Sequence, residues 1–276
     1  MKFHLFVVLT LFLPLSSVFA QNKVEFSPNK TFTQVSYVSK SPKVDGKISL
    51  NEYMYSFENF GTLIHNRAFL SSRQAKYFAA MDGQNLYLAC QSEVPEKDTK
   101  LKLKKKFKKR DSQIPYDDCV EFLFMPTDGA ALFHLIVNPA DVSYDVLYPV
   151  VNGGVSVQVK KDWDPKIQIK STIDNKYWTL EVKIPLKEMN VKVGKFDRQW
   201  LFQFARSWTN PRQQCAFNKV HVFANKDGMN PISFTQNTPV VRFTGMGEYY
   251  KGNHDISFVV DNPTNKVARV KYQVYV

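Results

Sequence analysis

Ile114-Pro115-Tyr116-Asp117-Asp118-Cys119-Val120-Glu121-Phe122-Leu123-Phe124-Met125-Pro126 is the segment on which the reading of the fold turns. An aromatic ring and two adjacent carboxylates run into an alternating apolar strand, which Pro126 and Asp128-Gly129 then stop. Side chains of a strand point alternately to its two faces. Val120, Phe122 and Phe124 therefore share one face, and Cys119, Glu121, Leu123 and Met125 share the other. An ionised Glu inside such a strand is costly to bury alone. Glu121 must reach water at a groove, be paired, or hold a ligand.

Working outward, short runs rich in Val, Ile, Phe, Tyr and Trp recur between Pro, Gly, Asn and Asp, and no long stretch carries helical periodicity. Residues 74–80 and 86–91 predict a hairpin around Met81-Asp82-Gly83-Gln84-Asn85. Residues 132–138 and 143–148 predict a second, and 166–173 and 178–184 a third, followed by a single helical turn at 185–189. Residues 196–206, apolar on both faces, read as a central strand. Residues 207–238 read as loop-rich, and 240–243 as a closing strand. Residues 42–48 predict a short strand and an Asp-Gly turn, and Ser49 with Glu52 has the form of a capping box. The expected fold is all-β, an antiparallel, jelly-roll-like β-sandwich over residues 21–244. Residues 256–260 and 267–276 read as a further hairpin, and since two strands make no stable domain alone, 245–276 is expected to be a partial second β module or, as the alternative, a C-terminal hairpin whose strands pair with the first domain.

Residues 1–20 have the form of a signal peptide: Lys2, an apolar run from Leu5 to Leu15, then small residues ending near Ala20. That predicts a secreted or periplasmic protein. No apolar run reaches the roughly 20 residues of a membrane span. Three cysteines, at 90, 119 and 215, are no disulfide framework. They read as buried thiols, with a Cys90–Cys119 bridge as the alternative. The formal net charge is +12, and eight of the positive charges lie between Lys100 and Arg110. One basic insertion loop, 95–113, thus sets the high pI, and a solvated loop is the plain reading. The run has no interleaved aromatics apart from Phe107, so nucleic acid is not the expected partner. Contact of the 100–110 loop with an anionic surface or polysaccharide is the sharper alternative.

Asp117, Asp118 and Glu121 invite a glycosidase reading, but strand spacing opposes it. Asp117 and Glu121 share a face about 13 Å apart at ~3.3 Å per residue, whereas paired carboxylates work at about 5–9.5 Å. No catalytic residue is assigned. The histidines have no metal-ligand spacing, and no nucleophile elbow, phosphate loop or dinucleotide fingerprint occurs. Sugar binding suits an exported sandwich better: a sugar's C–H face packs on a ring while its hydroxyls meet carboxylates, amides and Arg. Tyr116, Trp163, Trp208 and Phe217 lie in or beside loops that could present such a ring. On the next strand His134, Ile136 and Asn138 share one face, and if that face is Glu121's, the three polar residues form a patch.

Five segments now align with one family. They are Lys43-Val44-Asp45-Gly46-Lys47-Ile48 with Glu52, Asn85 to Ala89, Asp117 to Leu123, Phe133 to Asn138, and Trp178-Thr179-Leu180-Glu181-Val182-Lys183-Ile184-Pro185-Leu186. In order and spacing, residues 40–243 resemble the family 9 carbohydrate-binding modules that accompany xylanases and other exported polysaccharide-degrading proteins. The resemblance implies a non-catalytic sandwich that holds sugar chain ends between two tryptophans, often with structural calcium; no other cofactor is expected, and no metal ligand is identified. It implies that Glu121 and Asn138 contact sugar, while the family's Arg position falls on Ile136. The first tryptophan position falls on Pro115, beside Tyr116; the second falls near Gly228 and Met229, where no ring occurs. The candidate contacts are therefore Tyr116, Glu121, His134 and Asn138, with Arg206 and Trp208 nearby. The alternatives are a structural or protein-interaction sandwich that has lost sugar binding, and part of a glycoside hydrolase.

Overall fold

The computed structural model describes residues 33–38, 40–49, 52–53, 56–58, 63–64, 73, 75–94, 105–126, 131–191, 198–217, 222–235, 239–245, 257–262, 266–267 and 269. The proposed signal peptide lies outside them, as do residues 95–104 of the basic loop and nearly all of 267–276. The chain is a sandwich of two β-sheets, as the alternation of its strands predicts.

The strands are β1 (Thr33–Ser36), β2 (Ser56–Glu58), β3 (Leu63–Ile64), β4 (Ala75–Met81), β5 (Asn85–Glu93), β6 (Cys119–Pro126), β7 (Ala131–Val137), β8 (Ser143–Val151), β9 (Gly154–Val155), β10 (Gln168–Ile173), β11 (Tyr177–Pro185), β12 (Arg198–Thr209), β13 (Arg212–Ala216), β14 (Asn230–Thr235), β15 (Val240–Gly245) and β16 (Ser257–Asp261). One sheet runs β1-β14-β12-β6-β7-β8-β9, with β13 and β3 added beside β12; the other runs β10-β11-β5-β4-β2. Pairing is antiparallel except between β1 and β14. The three predicted hairpins are present, and Leu186–Met189 forms the expected single turn, of 3-10 type.

Two segments depart from the expectation. The loop-rich stretch 207–238 contains the end of β12, all of β13, and β14. Their polar composition and Pro231 hide strands that exist because β12 offers them a ladder. The Pro42–Ile48 segment forms no strand. It is an irregular cover whose Val44 and Ile48 pack on Phe78, Ala80, Tyr87 and Ala89, on the far side of the smaller sheet.

That cover is tied down by one carboxylate. Glu181 Oε2 accepts the backbone N–H groups of Asp45, Gly46 and Lys47 at 2.9, 2.6 and 3.1 Å. Gly46 has φ +83°, and a Cβ there would lie 2.8 Å from Thr172 Cγ2, so only glycine fits. Two of the five signature segments thus meet at a structural joint.

The core lies between the sheets. Val120, Phe122 and Phe124 of β6 face Tyr77, Leu88, Leu180 and Val182 across it, with Phe133, Trp200, Phe202 and Phe204 beside them. Tyr77 and Phe204 stack at 4.8 Å, a geometry that adds about 0.5–1.5 kcal/mol to area burial. Cys90, Cys119 and Cys215 are all buried free thiols, so no Cys90–Cys119 bridge forms. β15 pairs with β16 in a separate two-stranded sheet, so residues 257–261 take β15 as their partner; most of the expected 267–276 strand lies outside the described residues. Among the described residues no helix is long and apolar enough to cross a membrane.

The β4–β5 turn carries the clearest titration signal. Burial pushes the Asp82 carboxyl up, but hydrogen bonds from Tyr87, Ser41, the Gln84 N–H and Asn85 outweigh it and hold the pKa at about 2. A carboxyl depressed in the fold contributes stability above its unfolded pKa and loses it on acidification. Wild-type protein is therefore expected to lose about 1 kcal/mol from this group, allowing for solvent screening, as pH falls from about 4 to about 2. Urea titrations across that window should show the slope in wild type and a flatter one in Asp82→Asn.

Candidate functional site

Because Val120, Phe122 and Phe124 fill the core, Cys119, Glu121, Leu123 and Met125 are turned to the outer face of the larger sheet. Glu121 pairs with Ile136 on β7 and with Ala205 on β12. Cross-strand partners share a face, so the outer surface also receives His134, Gln203 and Ser207. The pairing that joins Glu121 to His134 is thus present. His134 Nε2 lies 2.9 Å from Glu121 Oε2, and the two residues are only 7% and 6% exposed. Ser207 Oγ donates to Glu121 Oε1 at 3.5 Å, and Gln214 Nε2 donates to Ser207 Oγ at 3.2 Å. His134 Nδ1 is buried without a hydrogen-bond partner.

This polar line separates two apolar patches. On one side Leu123, Met125, Leu132 and Met229 pack with Tyr148, Leu201 and Phe223. On the other, Ile114, Cys119 and Ile136 pack with Phe107, Val142 and Tyr144. The His134 and Tyr148 rings lie 6.2 Å apart and nearly parallel. Gln203 Nε2 donates to Gly228 O at 3.2 Å, which holds the 225–229 turn over the face.

The six expected contacts separate into three groups. Glu121 and His134 come together as a pair. Tyr116 ends a 3-10 turn whose Ile114 is seated on the outer face, and its own ring is 75% exposed. Asn138, Arg206 and Trp208, expected at the surface, are buried. Asn138 is fully buried: its Nδ2 donates to Phe107 O at 2.7 Å and Asp117 Oδ2 at 3.0 Å, while Oδ1 accepts from Ala140 and Val142. Arg206 and Trp208 have the opposite parity to Ala205 and Ser207 and point inward. Arg206 is 0% exposed, with its guanidinium carbon 4.6 Å from the Trp208 ring centroid and 5.0 Å from that of Trp178. Trp208 Nε1 donates to Glu93 O at 2.9 Å.

Five further residues join the face: Tyr148, Gln203, Ser207, Gln214 and Phe223. Gln203 and Ser207 were legible as polar residues alternating with Phe202, Phe204 and Arg206. Phe223 was not, because its loop reaches the sheet from 222–229; it supplies a ring near the second family tryptophan position, where the sequence has none. Among the described residues no three His, Cys, Asp or Glu side chains converge on one point, and Glu181 Oε2 is engaged by backbone N–H groups.

No family model matches the chain, and no curated protein matches it. Solved structures do. A candidate carbohydrate-binding protein from Bacteroides uniformis superposes with a TM-score of 0.55 at 13% identity, over 74% of this chain and 99% of that one. A family 9 carbohydrate-binding module from Caldicellulosiruptor kristjanssonii in complex with cellotriose superposes with a TM-score of 0.51 at 16% identity, over 75% of this chain and 95% of that one. The module from the same organism in complex with glucose gives a TM-score of 0.52 at 16% identity, over 75% and 97% of the two chains. Likeness at this identity speaks for the fold: the chain is built on the β-sandwich of the family 9 carbohydrate-binding modules.

Proposed function

We propose that the protein is an exported, non-catalytic carbohydrate-binding module that holds polysaccharide or its chain ends in the service of polysaccharide degradation. The observation that carries this reading is the Glu121–His134 pair. It sets a carboxylate and an imidazole, both nearly buried, in a polar line with Ser207 and Gln214 on a sheet face bordered by the Tyr148 ring and by Phe223. Carboxylate and imidazole are groups that hydrogen-bond sugar hydroxyls, and rings pack on a sugar's C–H faces. The fold's solved neighbours, held with cellotriose and glucose, support the ligand class. Tyr116 supplies an exposed ring at the end of β6.

Calorimetry against xylan, cello-oligosaccharides and glucose tests the reading. Binding is expected, with Glu121→Gln weakening it roughly 10- to 100-fold, the scale of a lost hydrogen bond to a charged group. Tyr116→Ala should cost about 3- to 10-fold, the scale of one ring contact. Binding unchanged by both substitutions would remove the site from this face. The second reading, a sandwich turned to protein contacts, draws on the cover that residues 222–229 place over the polar line. It expects no oligosaccharide to bind at all.

A further inference from the structure

Residues 105–113 of the basic loop are folded down onto the same face. Phe107 is half-buried in the patch formed with Ile114, Cys119, Ile136, Val142 and Tyr144. Its backbone is clamped at both ends: its N–H donates to Asp117 Oδ2 at 3.0 Å, and its carbonyl accepts from Asn138 Nδ2 at 2.7 Å. Asp117 and Asn138 are both almost wholly buried. A few residues on, Arg110 forks onto Asp145 at 3.0 and 2.6 Å and reaches Asp164. Asp111 N donates to Ser143 O at 3.0 Å. A loop that merely needed solvent would not require this set of buried polar anchors.

The anchors neutralise Arg110 and leave its neighbours uncompensated. Lys105, Lys106, Lys108 and Lys109 are exposed, and none is in an ion pair with a described residue. The acids nearby are already engaged: Asp145 and Asp164 by Arg110, Asp117 by Phe107 and Asn138, and Asp141 by Ser171 and, at 3.9 Å, Lys170. Lys108 and Lys166 both line a groove of ≈ 530 Å³ floored in part by Val142 and Ile167. On the sheet side, Lys161 Nζ sits 5.7 Å from the Tyr144 ring, whose patch holds Phe107. Positive charge therefore sits on the segment that packs against Ile136, the cross-strand partner of Glu121.

We propose that this module selects anionic glycans, chains bearing carboxylates or sulfates, by setting these lysines beside its sugar-binding face. The proposal rests on the carbohydrate reading above and names the class of chain it takes. Nucleic acid fits less well, because the one ring in the run, Phe107, is turned onto the sheet and offers no stacking platform to bases.

The test compares wild type, the variant Lys105→Ser/Lys106→Ser/Lys108→Ser/Lys109→Ser, and Glu121→Gln, each checked for an unchanged melting profile. The probes are cellotriose, trigalacturonate and a heparin-derived tetrasaccharide, at low and physiological salt. Wild type should bind one or both acidic probes at least about tenfold tighter than cellotriose, from several surface charge contacts acting together. The advantage should shrink with salt and vanish in the lysine variant, whose cellotriose affinity stays unchanged. Whichever acidic probe gains more identifies carboxylate or sulfate as the group read. Equal binding of acidic and neutral probes, or an advantage that survives loss of the lysines, overturns the proposal while leaving the carbohydrate reading intact. Lysine-dependent acidic binding with no cellotriose binding and no effect of Glu121→Gln removes the Glu121 site and with it the placing of the lysines beside a sugar-binding face, and so overturns the proposal in this form. Duplex DNA or anionic vesicles binding as tightly as the acidic glycans also overturns it.

Discussion

Arg206→Ala is expected to destabilise the sandwich by about 3–5 kcal/mol, the cost of removing one partner from a buried charged network. The guanidinium is fully buried and lies over Trp208 and Trp178. Its Nε donates to Ser92 Oγ at 2.7 Å, and Nη1 donates to the carbonyls of Ser207 and, at 3.4 Å, Cys119. Asp118 Oδ1 stands 3.7 Å away. Truncation would empty the space over both indoles, remove the guanidinium donor from three buried oxygens and strip charge compensation from a buried aspartate. In a domain this size the melting temperature should fall by about 10 °C. Arg206→Met restores volume without donors and should recover only part of the loss. Equilibrium urea unfolding of the three proteins decides it; a cost below about 1 kcal/mol would mean that the stacked guanidinium is dispensable. Oligosaccharide affinity, measured below the melting transition, should hardly change in the variants, because Arg206 lies on the opposite side of β12 from Ser207 and Ala205.

Asn138→Ala should cost about 2–4 kcal/mol, because the buried acceptor and donors it now satisfies lose their partner. One amide joins the β7–β8 turn, through Ala140 and Val142, to the basic loop, through Phe107 and Asp117. The loss should be local as well as global. Hydrogen exchange at the Phe107 amide, bonded to Asp117 in wild type, should accelerate well beyond what the change in overall stability accounts for. Exchange at Phe107 that merely follows global stability would show that Asp117 holds the loop without Asn138.

The same residue shows where sequence reading reaches its limit. Asn138 and Glu121 were both expected to meet sugar, and both are polar residues next to apolar strands. Strand parity places each correctly to within a residue but says nothing about what approaches from above. Glu121 lies within β6, so its neighbours are set by the ladder, and His134 follows from register. Asn138 follows the last residue of β7, where the chain turns and its amide is free to serve the loop 31 residues upstream. Arg206 points inward by parity, which β12 concealed by being apolar on both faces.

What the sequence by itself determined was local and periodic. The two-residue alternation of β6 and β11 and the turn chemistry at Asp82-Gly83 and Asp174-Asn175 dictated strands and hairpins, because side-chain direction and turn dihedrals are properties of neighbouring residues. The tertiary structure alone decided which polar groups meet. It turned Asn138 and Asp117 into a clamp, laid Phe107 on the patch of Ile114, Cys119 and Ile136, brought Phe223 to a face whose sequence lacks the second ring, and closed two tryptophans over Arg206. Those outcomes depend on contacts between residues tens of positions apart, and a buried charge or amide has no fixed partner until the sheets have packed.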